Sequence, residues 1–163
     1  MDKLFRRKEI RLKHYDYSQA GYYFITICTK DKEKLFGEII HADDSVYPQP
    51  VMKANEIGKI VCECWNKIND IYDHVRTDLF CLMPNHIHGI IIIFADGQDR
   101  PPLSKIIQDY KSVTTRMCFK YGLKQIWQRN YYEHIIRNEI SYQEIASYIE
   151  NNPLKWAEDR YYV

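Results

Sequence analysis

The sequence predicts an α+β fold in which helices pack on one face of an antiparallel sheet. Segments rich in β-branched and aromatic residues, typical of strands, alternate along the chain with segments that place apolar residues at helical spacing. Their order is strand, helix, strand, strand, helix, strand, and then one more helix. Two β-α-β halves in this order form a ferredoxin-like sandwich. A chain of 163 residues, 45% of them apolar, is long enough to bury one core, so we expect a single domain over residues 1–163.

Five segments are predicted as strands, one of them short. The first begins at Gly21 and runs through aromatic and β-branched residues. Pro84 and Asn85 separate two later strands, because proline cannot donate a hydrogen bond to a sheet ladder. The predicted ranges are 21–29, 35–40, 75–83, 86–94 and 126–136. Residues 41–51 contain two acids and two prolines, so we predict a loop or an irregular hairpin there.

Three helices follow from apolar periodicity and from capping signals. The first covers residues 54–68. The second begins after the prolines at 101 and 102 and ends at Gly122, a typical C-terminal stop. The third begins at a capping box, 141–144, and runs to about Asn152, because Pro153 disfavours helical geometry in the residue before it. The predicted inner stripe of the second helix is Ile106, Ile107, Tyr110, Val113, Thr114, Met117, Cys118 and Tyr121.

Composition excludes several classes of protein. No apolar run approaches the roughly 18 residues of a membrane span. The first 13 residues, MDKLFRRKEIRLK, carry charge but no apolar stretch, so they do not resemble a secretory signal. The five cysteines form no zinc-knuckle spacing. We therefore expect reduced, mostly buried thiols in a cytoplasmic protein.

The net charge of +1 conceals two basic segments. Residues 1–13 carry six Lys or Arg against two acids, and residues 99–137 carry eight against three. Two basic segments on a nearly neutral chain fit an anionic partner bound at one face, or simply two solvated surfaces. Charge alone favours the second interpretation. We treat residues 1–13 as a basic N-terminal arm.

His86 and His88 are the first candidates for a chemical role. In a strand, alternate side chains point to the same face, with Cα atoms about 6.5–7 Å apart. Both imidazoles would therefore lie on one face while Ile87 enters the core. Two neutral imidazoles placed in this way can share a metal ion. A His-x-His pair also occurs by chance on strands, so the pair alone does not decide.

Tyr148 and Asn152 are the second pair of candidates. They lie four residues apart near the end of the last predicted helix, so they share a face. Together they could present a nucleophile and an oxygen ligand. Alternatively, Tyr148 packs on the amphipathic face and Asn152 caps the helix. Tyr142, the rival nucleophile, lies too far around the helix to converge with Asn152.

Joined at one site, the two pairs suggest a specific chemistry. A divalent ion held by His86, His88 and the Asn152 carbonyl would keep open positions for a phosphodiester oxygen. A phenol, with a pKa of about 10, is a weak nucleophile and needs an activated phosphate. Attack by Tyr148 would give a phosphotyrosine ester. Because the ester retains the energy of the phosphodiester, rejoining would need no ATP.

These motifs resemble those of a known family. The run MPNHIHG at 83–89 is similar to the His-hydrophobic-His motif of the HUH single-strand endonucleases, and YIENNPLK at 148–155 to the tyrosine-helix signature of their insertion-sequence transposases. The resemblance spans about residues 10–155 and is closest to the REP-associated tyrosine transposases. Further supporting stretches are YDY at 15–17, GYYFIT at 21–26, KS at 111–112, WQR at 127–129 and YEHIIRN at 132–138.

The resemblance implies a role for each site residue. His86 and His88 would be metal ligands, Asn152 would match the third ligand, and the metal would be Mg²⁺ or Mn²⁺. Tyr148 would form a 5′-phosphotyrosine link to single-stranded DNA, often beside a hairpin, and leave a free 3′-hydroxyl. In the REP-associated group an N-terminal basic segment helps to read a short motif beside the hairpin. The candidate DNA-binding residues are Arg6, Arg7, Lys8 and Arg11 in the arm and Lys105, Lys111, Arg129 and Arg137 in the second basic segment.

Two alternatives compete with a metal-dependent transposase that nicks and rejoins single-stranded DNA. One is a non-catalytic module of ferredoxin-like fold that binds single-stranded nucleic acid on exposed aromatic residues. The other is a small zinc hydrolase, against which we count the lack of an evident carboxylate ligand and an idle Tyr148. The sequence does not decide between a monomer and a homodimer whose tyrosine helix completes the partner's site.

Overall fold

The computed structural model describes residues 20–41, 49–95 and 100–163. Within these residues the chain forms six strands and three α-helices, joined by short 3₁₀ segments. The last 3₁₀ segment, Pro153–Glu158, follows the final helix. The elements, in chain order, are β1 (Gly21–Cys28), β2 (Gly37–His41), β3 (Pro50–Ala54), α1 (Glu56–Ile71), β4 (Val75–Met83), β5 (His86–Ile93), α2 (Leu103–Met117), β6 (Tyr132–Ile136) and α3 (Glu139–Glu150).

The main sheet has four strands in the order β4-β5-β1-β6, and each neighbouring pair is antiparallel. The chain passes from β1 through α1 to β4 on the far side of β5, and from β5 through α2 to β6 on the far side of β1. This split β-α-β connectivity confirms the predicted ferredoxin-like sandwich. Strands β2 and β3 form a separate hairpin.

The two faces of the main sheet are covered by different helices. Tyr23, Ile25 and Ile27 of β1 point to the same side as α1 and α2 and form the larger core with them. Their neighbour Phe24 points to the opposite side, because side chains alternate along a strand, and joins a smaller core with Ile149 of α3. The third helix therefore packs on the face that α1 and α2 leave open.

Gly89 allows α1 to pack closely on β5. A Cβ atom at this position would lie 2.4 Å from the ring of Trp65, which is fully buried against the strand. Glycine is thus required for steric reasons one residue after His88. This close packing fixes the strand that carries both histidines.

The helices and the cysteines largely match the sequence predictions. Four of the five cysteines are buried, and Cys62 is half-buried, all as free thiols. Helix α3 begins earlier than predicted: its N-cap is Asn138, whose Oδ1 accepts a hydrogen bond from the Ser141 N–H at 2.8 Å, so Ser141 is not the cap. In the described residues no helix is both long and apolar enough to cross a bilayer.

Two other predictions need correction. The predicted strand 126–136 is regular only over Tyr132–Ile136, because Trp127 turns into the core and donates from Nε1 to Thr114 Oγ1 at 2.7 Å. Tyr121 is 44% exposed, because α2 ends at Met117 and a 3₁₀ turn breaks the helical period. The segment 41–51, predicted as a loop or an irregular hairpin, contributes His41, Pro50 and Val51 to the β2–β3 hairpin, which agrees with the second alternative.

Candidate active site

His86 and His88 lie at the start of β5, immediately after the Pro84–Asn85 turn. Both rings point to the α3 side of the sheet, and both residues are buried. Their Nε2 atoms are 3.0 Å apart. Ile87, between them, points into the larger core, as predicted. The alternation of the strand thus brings the two imidazoles together.

Asn85 fixes the orientation and the protonation of the His86 ring. Its Nδ2 donates to the backbone carbonyls of Tyr161 at 2.8 Å and Lys32 at 3.2 Å. This orients the carbonyl Oδ1 toward His86 Nδ1, at 2.8 Å. Because a carbonyl oxygen can only accept, Nδ1 carries the proton. The lone pair of His86 is therefore on Nε2, which faces His88.

The surroundings of both histidines favour the neutral form that binds metals. Burial lowers the pKa of His86 to about 4, although Asp159 acts in the opposite direction. Burial, together with His86, lowers the pKa of His88 well below its ordinary value. His88 Nδ1 lies 2.7 Å from Thr26 Oγ1, and Phe24 stacks on its ring at 5.6 Å between centroids. Both rings are thus neutral and held in place at pH 7.

Asp159 is a nearby oxygen donor that the sequence analysis missed. Its Oδ2 lies 3.9 Å from His86 Nε2, and the donor atoms of Asp159 and the two histidines all lie within 4.8 Å of one another. The 3₁₀ segment Pro153–Glu158 returns the chain to the site after α3. Asp159 therefore removes one objection to a zinc hydrolase, the lack of an evident carboxylate ligand.

Asn152 is buried beside this cluster. Its Nδ2 donates to Asp159 Oδ2 at 3.1 Å. Its carbonyl Oδ1 is also buried and has no hydrogen-bond partner among the residues that the structure describes. A buried acceptor without a donor is costly unless a ligand or a water satisfies it. Asn152 Oδ1 is thus available to an ion or to a bound group.

These donors fit a divalent metal ion. Two nitrogen ligands about 2.1 Å from an ion and at right angles to each other lie about 3.0 Å apart, the separation of the two Nε2 atoms. Neutral imidazoles accept Mn²⁺ and Zn²⁺, and carboxylate and amide oxygens suit Mg²⁺ and Mn²⁺. The donor set is therefore suited to an ion that tolerates both nitrogen and oxygen.

Tyr148 on α3 is the phenol beside the histidines. Its hydroxyl lies 3.4 Å from His88 Nε2, and its ring packs edge-on against Phe24. Burial, followed by the charges of Asp159 and Tyr161, raises its pKa to about 12, so the hydroxyl is protonated at neutral pH. Tyr148 is nevertheless 43% exposed. A substrate can reach it from solvent.

Tyr142, the rival tyrosine, is engaged elsewhere. Its hydroxyl donates to Asp78 at 2.6 Å, and its ring packs edge-on against Tyr22. Within the described chain it takes no part in the histidine cluster. This agrees with the helical argument that Tyr142 and Asn152 do not converge.

An open groove of about 480 Å³ leads along α3 to Tyr148. It is formed by one side of α3 and by the chain that returns to the histidines. Its lining includes two cations and three carboxylates. The lining residues are Glu144, Ser147, Tyr148, Asn151, Asn152, Lys155, Glu158, Asp159 and Arg160.

Of the predicted DNA-binding residues that the structure describes, none lines this groove. Arg6, Arg7, Lys8 and Arg11 lie outside the described residues. Lys105 pairs with Asp109, at 2.5 Å between Nζ and Oδ1.

Lys111 and two arginines complete the predicted set. Lys111 donates to the backbone carbonyls of residues 128–130 at 2.9–3.3 Å. Arg129 and Arg137 are exposed. Their role in DNA binding stays a prediction.

Comparison with known proteins identifies the family. The family model described as "Transposase IS200 like" matches residues 17–152. An uncharacterized protein of Haemophilus influenzae is 42% identical, over 96% of this chain and 93% of that protein. A REP-associated tyrosine transposase of Escherichia coli is 36% identical, over 49% of this chain and 45% of that protein.

A solved structure shares the fold. It is described as a REP-associated tyrosine transposase bound to a REP hairpin, and it matches 91% of this chain and 74% of its own with a TM-score of 0.65 and 22% identity. The comparisons confirm the resemblance that the motifs at 83–89 and 148–155 indicated. The chain belongs to the IS200-like transposase family and has REP-associated tyrosine transposases among its relatives.

Proposed function

We propose that this transposase nicks and rejoins single-stranded DNA beside hairpins through a 5′-phosphotyrosine intermediate. The observation that carries the proposal is the position of the Tyr148 hydroxyl, 3.4 Å from His88 Nε2. His88 forms a buried, neutral pair with His86, and the two Nε2 atoms converge. The hairpin in the structure of the REP-associated relative supports DNA beside a hairpin as the substrate.

The metal would be held by His86, His88 and the carbonyl of Asn152, with Asp159 as a further oxygen donor. The unsatisfied Asn152 Oδ1 supports its inclusion, and the distance of 3.9 Å between Asp159 and His86 supports that of the carboxylate. A bound Mg²⁺ or Mn²⁺ supplies Lewis-acid polarisation of the phosphate. Asn85 and Thr26 hold the two rings in the orientation that presents Nε2.

Tyr148 is the nucleophile in this proposal. Its hydroxyl oxygen forms a bond to phosphorus, the bond from phosphorus to the 3′-oxygen breaks, and the 3′-oxygen leaves as a hydroxyl. The phenolic proton passes to water in the open groove, and water supplies the proton that the 3′-oxygen gains. Rejoining reverses these steps: a 3′-hydroxyl attacks the phosphotyrosine and releases the Tyr148 phenol. The number of phosphoester bonds is conserved, so no nucleotide cofactor is needed.

A single chain supplies every group that the proposal uses. Helix α3 packs on its own sheet through Ile149, and this packing brings Tyr148 to His88. We therefore propose that the tyrosine acts on the histidine site of the same chain. A homodimer is not required for the chemistry.

A labelled oligonucleotide tests the proposal. The substrate is DNA with a hairpin and a single-stranded flank, and its label lies in the fragment that would be joined to Tyr148 through its 5′-phosphate. The DNA is incubated with the protein and Mn²⁺ and analysed under denaturing conditions. We expect a covalent protein–DNA adduct that excess chelator abolishes. A binding shift without an adduct would instead support the non-catalytic module, and hydrolysis without an adduct would support the metal hydrolase.

A further inference from the structure

The groove beside Tyr148 carries more negative than positive charge. Glu144, Glu158 and Asp159 face only Lys155 and Arg160 among the described residues that line it. A phosphodiester entering this groove adds another negative charge. The carboxylates of the groove repel that charge, so a positioned cation beside the phosphate favours its binding. The two cations of the groove are therefore the candidates to bind it.

Arg160 is the cation of this groove that aromatic rings hold in place. Its guanidinium carbon lies 4.8 Å from the ring centre of Tyr161 and 5.7 Å from that of Tyr132. One of its amino groups donates to the Tyr161 hydroxyl at 2.6 Å. Tyr161 is itself held, because its backbone carbonyl accepts from Asn85 and its ring lies 4.6 Å from that of His86. The guanidinium is thus attached to the framework that orients the histidines.

Arg160 is connected to the histidines through Tyr161, whereas Lys155 lies on the 3₁₀ segment. Both cations line the groove beside Tyr148. The Tyr161 ring that holds Arg160 lies 4.6 Å from the ring of His86 and 6.0 Å from that of His88. Lys155 provides a matched comparison, because it is a second exposed cation on the same groove.

Arg160 also has N–H donors that are available to a ligand. A guanidinium carries five N–H donors, and Tyr161 uses one of them. Within the part of the chain that the structure describes, the remaining donors have no hydrogen-bond partner. A planar fork of this kind binds two oxygens of one phosphate, which a lysine cannot do with the same geometry.

We propose that Arg160 binds the two non-bridging oxygens of the DNA phosphate that Tyr148 attacks, and so positions phosphorus in front of the Tyr148 hydroxyl. This inference rests on the proposed function and adds the residue that recognises the scissile phosphate. Lys155 contributes only general attraction for DNA. Neutralising the attacked phosphate should therefore remove the contribution of Arg160 to DNA binding and leave that of Lys155 unchanged.

The test uses DNA in which one phosphate is made neutral. Wild-type protein first maps the cleaved linkage through its covalent adduct; failure to form any adduct would overturn the proposed function itself. Binding is then measured in chelator, in the Tyr148→Phe background, with either a phosphate or a methylphosphonate at the mapped linkage. We expect the neutral linkage to weaken binding about 10-fold, as expected for one charge-assisted contact.

Two variants in that background then separate the cations. With Arg160→Ala, the neutral linkage should weaken binding by less than about 2-fold, because the contact to that phosphate is already absent. With Lys155→Ala, overall affinity falls but the loss of about 10-fold at the neutral linkage remains. The inference would be overturned if the neutral linkage still weakened binding about 10-fold in Arg160→Ala. It would also be overturned if the neutral linkage no longer weakened binding in Lys155→Ala.

Cleavage provides the second readout. At saturating DNA and Mn²⁺, Arg160→Ala in the otherwise wild-type protein should lower the single-turnover rate by about 100-fold. Arg160→Lys, which keeps the charge and most of the side-chain stem, should recover part of this loss. It also replaces Arg160→Ala if that variant does not fold by circular dichroism. A cleavage rate within 2-fold of wild type in either arginine variant would contradict the proposed role.

Discussion

At the scale of single residues, the site depends on partners that lie behind the histidines. Asn85 accepts from His86 Nδ1 and donates to two backbone carbonyls, so one side chain sets both the angle and the tautomer of the ring. Thr26 contacts His88 Nδ1 in a similar way. Such partners commonly change metal affinity by about 10–100-fold when they are removed.

The first prediction concerns Asn85. Asn85→Ala should weaken Mn²⁺ binding by about 10–100-fold, because His86 then loses the acceptor that keeps its proton on Nδ1. Isothermal titration with Mn²⁺ measures the change. The matched control is Asn55→Ala, which removes the N-cap of α1, whose side chain bonds to Gly58 and Leu35; it should lower stability without changing Mn²⁺ affinity. Equal Mn²⁺ affinities in Asn85→Ala and wild type would refute this account of the tautomer.

At the scale of secondary-structure elements, the site depends on how β5 is held between α1 and α3. On one face, Trp65 of α1 packs on Gly89, and on the other, Ile149 of α3 shares a core with Ile90 of β5. The histidines and Tyr148 belong to elements that are fixed by these contacts. Their relative positions therefore follow from packing on both faces of one strand.

The second prediction concerns Gly89. Gly89→Ala would place a Cβ atom 2.4 Å from the Trp65 ring, so the ring or the strand must move. We expect a loss of about 1–3 kcal/mol in the free energy of unfolding, as in other overpacked cores. Gly21→Ala, on the neighbouring strand, meets no atom closer than 3.6 Å and should change stability by less than about 1 kcal/mol. Urea denaturation of both variants decides; equal stabilities would show that Trp65 has room to move.

Elements with a clear apolar period were predictable from the sequence. So was the placement of the site residues that β5 and α3 carry. The alternation of a strand was enough to place His86 and His88 on one face. Helical spacing was enough to place Tyr148 and Asn152 on one side of the chain, where both line the same groove. The prediction of a continuous strand over 126–136 was wrong, because Trp127 donates to Thr114 and the backbone of residue 128 accepts from Lys111. Such side-chain hydrogen bonds leave no periodic pattern in the sequence.

Asp159 and Arg160 could not be found by the same means. They follow the 3₁₀ segment Pro153–Glu158, whose path depends on where Trp156 and Tyr161 pack. A chain reversal of this kind leaves no repeating apolar pattern. The only local signal was Pro153, which ends the preceding helix but does not say where the chain goes next.

At the scale of the whole molecule, the groove at Tyr148 and the N-terminal segment differ in charge. The groove at Tyr148 is rich in acids, whereas residues 1–13 carry six basic residues against two acids. DNA that reaches Tyr148 would then need attraction from elsewhere on the chain. The N-terminal arm remains our candidate for that attraction.

The third prediction tests the arm by salt dependence. Each basic side chain that neutralises a phosphate of single-stranded DNA contributes about −0.7 to the slope of log affinity against log salt. Replacing Arg6, Arg7 and Lys8 with alanine should make that slope shallower by up to about two units. The comparison is the triple alanine variant of Lys53, Lys59 and Lys67, which are exposed residues of β3 and α1. Equal slopes for the two triple variants would exclude the arm from DNA binding.

The central claim is that Tyr148 becomes covalently joined to DNA, and peptide mapping of the adduct tests it most directly. Wild-type protein is reacted with hairpin DNA and Mn²⁺, digested with trypsin and nuclease, and analysed by mass spectrometry. We predict a nucleotide attached to the peptide that contains Tyr148. Tyr148→Phe should bind the same DNA with unchanged affinity, because it lacks only a hydroxyl, and should form no adduct. An adduct on Tyr142 or another residue, or one that persists in Tyr148→Phe, would contradict the account.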